Sequence, residues 1–125
     1  WIWFPILIII LLSIYLTELG KPILLNNEKT SEKIINQIPE DLIFASEEII
    51  ISKCSVCHAK EPLWENLTMP PKMVVLETKQ DIIKQIDGIY SQVVASYAMP
   101  PGNITFLEPS ERKTLDTLYK KIKNL

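Results

Sequence analysis

Ligating residues are scarce in this chain, and the scarcity closes off whole classes of function. There is one histidine, His58, and there are two cysteines, Cys54 and Cys57. A structural zinc site takes four ligands, as a rule Cys and His. Three such residues fall short, and no carboxylate spacing signals a fourth. Net charge of one sign is also small, at −2 from 13 basic and 15 acidic residues. No dense Lys/Arg patch is interleaved with aromatics, so nothing here suits a phosphate backbone. No internal repeat and no convincing strand alternation is present. The first stretch, residues 1–16, holds no charge at all.

That charge-free stretch is almost wholly apolar, and the first acid and base are Glu18 and Lys21. A membrane-spanning helix needs about 20 apolar residues. The expectation is a single transmembrane helix over residues 1–19, with Trp1, Trp3 and Tyr15 near the two interfaces, where aromatic rings are favoured. The chain begins with Trp1 rather than Met, which suggests the C-terminal part of something longer or a processed product. A secretory signal competes with this reading, but no basic head precedes the run and no small-x-small cleavage site follows it. A buried soluble helix is a third reading.

Beyond the apolar run, residues 20–39 are polar and mixed and read as a tether, with at most a helical turn around residues 34–38. A length of 125 residues then suits one domain over 40–125 behind the anchor. Pro39 or Asp41 opens a helix that reaches about Lys53. Ile43, Ile50, Cys54 and Cys57 share one helical face. A second helix is predicted over 79–97, with Thr78 as its N-cap and Asp81 in its first turn. Ile82, Ile86, Ile89, Tyr90, Val93 and Tyr97 form its apolar stripe. A third is predicted over 110–123, with Leu115, Leu118, Tyr119 and Ile122 inward. Pro-rich loops at 61–72 and 100–109 separate these helices. The predicted fold is all-α. Three helices of this length bury a limited core by themselves, and an apolar cofactor among them would supply a centre.

Cys54-Ser55-Val56-Cys57-His58 has the CxxCH pattern of c-type haem attachment. The spacing follows from the chemistry. Two sulfurs join the two vinyl groups along one edge of the porphyrin, and the adjacent imidazole falls beneath the iron. A thioredoxin-like thiol pair would need CxxC beside alternating strands and helices, which are lacking. A Cys54–Cys57 disulfide would leave His58 without a role. One covalent haem (heme c) is therefore expected, with His58 as its proximal ligand.

Low-spin cytochromes add Met or His on the far face of the iron. There is no second His, which leaves Met69, Met73 and Met99. Met99 has the length of chain needed to pass round the porphyrin edge and return. Pro100-Pro101-Gly102 follows it and cannot continue a helix. Met99 is the expected second iron ligand, set against Met69 and against a plain packing role, since Met commonly fills gaps. A carbonyl near Pro70 or Pro71 is expected to receive the His58 ring N–H. Trp64, Tyr90 and Tyr97 are candidates to line the haem, with core packing as the alternative.

These segments resemble a specific family. The match runs from Cys54-Ser55-Val56-Cys57-His58-Ala59 through Pro70-Pro71-Lys72 and Val74-Val75-Leu76-Glu77-Thr78 to Ala98-Met99-Pro100-Pro101-Gly102-Asn103-Ile104-Thr105. This is similar to the C-terminal cytochrome c domain of the bacterial membrane-bound urate hydroxylases (urate oxidases). The resemblance spans about residues 54–119, with 1–17 matching the family's last membrane span. It departs at Met73, where the family commonly has Gly, and at Glu108, where Thr or Ser usually opens the last helix. It implies a class I cytochrome c-like fold and a haem held by Cys54, Cys57, His58 and Met99, with His58 and Met99 on the iron. It also implies that urate is oxidised in an upstream membrane domain, so this segment holds no substrate-catalytic site.

The expected function is one-electron transfer at the bacterial inner membrane. The haem domain would face the periplasm, where haem is joined to Cys pairs, and the bilayer would be contacted through residues 1–19. A stand-alone anchored cytochrome c shuttling electrons between respiratory complexes is the alternative. An anchored periplasmic thiol-disulfide oxidoreductase is a third reading, of a different class.

Overall fold

The computed structural model describes residues 1 and 3–125, and within 17–27 it describes the backbone alone. Every regular element among the described residues is helical, in keeping with the all-α expectation, and there is no strand.

Helix α1, Trp3–Ile35, carries the apolar run. The expected transmembrane helix is not found: among the described residues no helix is long and apolar enough to cross a membrane. The charge-free part of α1 is short: residues 3–16 rise only about 21 Å at 1.5 Å per residue, against about 30 Å of hydrocarbon. The same helix runs on through most of the stretch expected to be a tether and ends at Ile35. It contacts α4 (Lys79–Lys84), and Ile34 and Ile35 pack against the core.

Helix α2, Glu40–Lys53, lies close to the expected bounds. Glu40 and Asp41 sit in its first turn, where the helix dipole favours acids. Ile43, Ser46, Ile49 and Ile50 face inward, at the three- and four-residue spacing of one helical stripe. Ser46 is fully buried, and its hydroxyl donates to the Leu42 carbonyl at 2.8 Å. Immediately beyond lies the single turn α3, Ser55–His58.

The long second helix expected over 79–97 is divided. α4 is followed by α5, Ile86–Ile89, and by a π-helical segment, Tyr90–Ala95. Thr78 does cap α4: its hydroxyl accepts the Asp81 N–H at 3.1 Å, and the Asp81 carboxylate accepts the Thr78 N–H at 3.1 Å. The break falls at Gln85, with φ −100° and ψ 10°. The π turn widens the helix end, and there the Ser96 N–H donates to Ser91 O at 3.1 Å. The Met99 N–H then donates to Gln92 O at 2.9 Å, which folds the following chain back under the helix.

Helix α6, Pro109–Lys123, packs across α2 and the π segment. Pro109 begins it, and the Glu111 carboxylate accepts the Glu108 N–H at 2.7 Å. Glu108, where the resembled family has Thr or Ser, therefore still opens a capped helix. Ile50, Ile82, Leu115 and Leu118 are the most deeply buried apolar side chains. Tyr90 stacks on Tyr119 with ring centroids 3.9 Å apart, so this ring seals the α5–α6 side.

Candidate functional site

A cavity of about 710 Å³ opens between the α3 turn, the two Pro-rich loops and the α5–π segment. Its size lies within the roughly 300–1,000 Å³ usual for cofactor sites. Cys54, Cys57, His58 and Met99 all line it. Leu67, Val74, Leu76, Ile89, Val93 and Ile104 add apolar walls. Met69 and Met73 are absent from the lining and stand 58% and 71% exposed. The three methionines are thereby separated, and Met99 alone among them lines the cavity.

The α3 turn is held by a short extended stretch that follows the first Pro-rich loop. The Leu76 N–H donates to His58 O at 2.7 Å, and the Ser55 hydroxyl donates to Leu76 O. His58 Nδ1 lies 3.0 Å from Val74 O. A carbonyl only accepts, so Nδ1 carries the proton, which in the neutral ring leaves Nε2 bare. The acceptor is thus Val74 rather than Pro70 or Pro71. Those two prolines set up a 3-10 turn, Pro71–Met73, that delivers Val74 to the ring. Lys72 and Met73 sit there at φ 54° and 57°. Met73 occupies the backbone region that favours glycine, the residue the resembled family commonly has at that place.

The opposite wall is built in the same manner. Pro100 leads into a second 3-10 turn, Pro101–Asn103, with Gly102 at φ 58°. Asn103 closes it, with its side chain accepting the Leu107 N–H at 2.9 Å and donating to Leu107 O at 3.2 Å. A Pro-Pro turn from each loop thus borders the cavity. One presents the carbonyl that orients His58, and the other follows Met99.

Burial, with Cys57 and Glu111 nearby, pushes the Cys54 thiol up from an ordinary 9.0 to about 12. The nearby Arg112 pulls the other way without prevailing. Burial also raises the Cys57 thiol. A redox-active CxxC pair works through a lowered thiol pKa, so both shifts run against thiol exchange. Both cysteines are free thiols.

Four features of the site were not anticipated from sequence. Arg112 is 7% exposed, and its Nη1 donates to Met99 O at 3.0 Å and to Val93 O. Thr105 lines the cavity with a buried hydroxyl that has no hydrogen-bond partner. The Val74 carbonyl and the Ser55 hydroxyl complete the support of α3. A signal existed for Arg112: it lies three residues before Leu115, on the inward stripe of α6, where a charged residue is out of place. Among the expected aromatics, Trp64 lines the cavity. Tyr90 instead stacks on Tyr119, and Tyr97 lies over Arg112.

The donor set suits a haem. Two thiols, an imidazole with a bare Nε2 and a thioether meet in one apolar hollow. The lone hydroxyl of Thr105 is a polar atom that an occupant would satisfy. Among the described residues no group of three or more His, Cys, Asp or Glu converges to hold a bare metal ion. Compared with protein-family models, curated proteins and solved structures, the chain matches none.

Proposed function

We propose that this chain is a monohaem c-type cytochrome domain that transfers single electrons. The observation that carries the reading is that one cavity gathers Cys54, Cys57 and His58 from one short run together with Met99, which is far from them in sequence. Cys54 and Cys57 would hold the porphyrin, each S–H adding across one vinyl group with no change of oxidation state. His58 Nε2 and the Met99 sulfur would hold the iron. Bound there, the iron supplies a one-electron couple. The apolar walls exclude water around it, and Val74 O keeps the imidazole oriented.

On the resemblance of residues 54–119 to the urate hydroxylase cytochrome domains, the electrons come from urate oxidised in an upstream membrane component. Attachment of haem to a Cys pair places the domain on the periplasmic side of the bacterial inner membrane. Trp3, Phe4, Leu7, Ile9, Leu11 and Leu16 are exposed along α1. An apolar surface of that extent is matched by lipid or by the helices of a membrane partner. A shuttle between respiratory complexes is the alternative. The gene upstream of Trp1 separates the two, since several further apolar spans favour the urate reading.

The direct test is a pyridine haemochrome spectrum on protein made with haem-attachment machinery. One covalent haem per chain is expected, lost in the Cys54→Ala/Cys57→Ala double variant. Colourless protein with two reactive thiols would overturn the proposal.

A further inference from the structure

We infer that Arg112 is a positioning residue that holds the Met99 sulfur at the cavity. This rests on the haem reading above. Arg112 is buried, yet among the described residues no carboxylate forms an ion pair with it. Its charge is met instead by two backbone carbonyls and a ring. Nη1 donates to Met99 O and Val93 O, and the guanidinium carbon lies 4.5 Å from the centroid of the Tyr97 ring.

These contacts grip both ends of one segment. Val93 is buried in the π segment, and Met99 follows the turn after it. Both residues also line the cavity. Arg112 stands on α6, which Leu115 and Leu118 fix in the core. The rigid helix thus sets where the Met99 backbone lies, and the Met99 N–H bond to Gln92 O holds the same residue from the other side. A buried cation is costly unless hydrogen-bonded. A fork of several donors that also stacks on a ring is particular to guanidinium, and the lysine ammonium does not reproduce it.

A group that merely stabilised the fold would lower the melting temperature and leave the sixth position as it was. A positioning group would loosen Met99 and let an outside ligand compete, because apparent affinity follows the fraction of open sites. The experiment compares haem-loaded wild type with Arg112→Lys, Arg112→Met and Thr78→Ala, a destabilising change at the α4 cap away from the cavity lining, using the full chain. The probe is imidazole, titrated against the ferric protein, with the weak red band of sulfur–iron bonding recorded alongside.

Imidazole is expected to bind at least about tenfold tighter to Arg112→Lys than to wild type, about 1.4 kcal/mol, and tighter still to Arg112→Met. The red band should fade at lower pH in both. Thr78→Ala should melt earlier with unchanged imidazole affinity. If Arg112→Met does not fold, Arg112→Lys decides alone. Unchanged affinity in a haem-bearing Arg112→Lys overturns this inference and spares the haem reading. An equal change in Thr78→Ala overturns it too, by reducing Arg112 to a general stabiliser. Wild type without covalent haem sinks the haem reading, and this inference with it.

Discussion

His58 and Val74 fix each other. The imidazole Nδ1 lies 3.0 Å from the Val74 carbonyl, and two residues on, the Leu76 N–H returns a bond to the His58 carbonyl at 2.7 Å. The neutral ring is thereby held in the Nδ1–H tautomer, and His58 lines the cavity. Each prediction below starts from a contact of this kind.

Met99→Ala should remove the red sulfur–iron band and lower the reduction potential, since Met/His ligation raises it. Met69→Ala and Met73→Ala should leave both readings unchanged, because neither side chain lines the cavity. Optical spectra and a potentiometric titration check this. Loss of the band in Met69→Ala instead would show that the wrong methionine has been assigned.

Cofactor-free protein should lose stability at alkaline pH. The Cys54 thiol titrates at about 12 when folded, against an ordinary 9.0. The unfolded chain therefore releases this proton first as pH rises. The contribution is fully present below 9.0 and declines as pH climbs toward about 12. Urea midpoints between pH 8 and pH 11, compared with those of Cys54→Ala, measure it on the linkage just described, at roughly the scale of whole pH units. Thioether-linked protein has no thiol to ionise, so its pH dependence should match that of the variant.

Thr78→Ala removes the hydroxyl that accepts the Asp81 N–H at 3.1 Å. The expected loss is about 0.5–2 kcal/mol of unfolding free energy. The haem spectrum should not change, since Thr78 is not in the cavity lining. Urea denaturation followed by circular dichroism gives the value.

Ile50→Ala should cost more, about 2–5 kcal/mol, as a large-to-small change in a packed core. Ile50 is fully buried, and its carbonyl accepts the Cys54 N–H at 2.8 Å. A loss under about 1 kcal/mol would mean that the α2–α6 contact is looser than its burial implies.

What could be read from sequence was what depends on local chemistry. The Thr78 cap, the inward stripe of α6 and the CxxCH turn are each set within a few residues, and each lies where expected. The spanning helix over 1–19 was inferred from an apolar run slightly short of the length needed, and among the described residues no helix is long and apolar enough to cross a membrane. The helix over 79–97 looked continuous because its apolar stripe is continuous. The break at Gln85 and the π turn come from the return of the chain at Met99, a tertiary demand that periodicity does not carry. Val74 was missed for a similar reason: a backbone carbonyl has no residue type to advertise it. Arg112 was legible in principle, as a charge standing in an apolar register.

The hollow of about 710 Å³ at the centre of the site has a consequence for how much of this protein a cell keeps. Small domains hold only a few kcal/mol of net stability, and an unfilled void forfeits the packing contacts its walls would otherwise make. On the haem proposal, chains still awaiting that group would open more often, and proteases act on opened chains. Abundance should therefore track the supply and export of porphyrin, with the polypeptide cleared wherever delivery stalls.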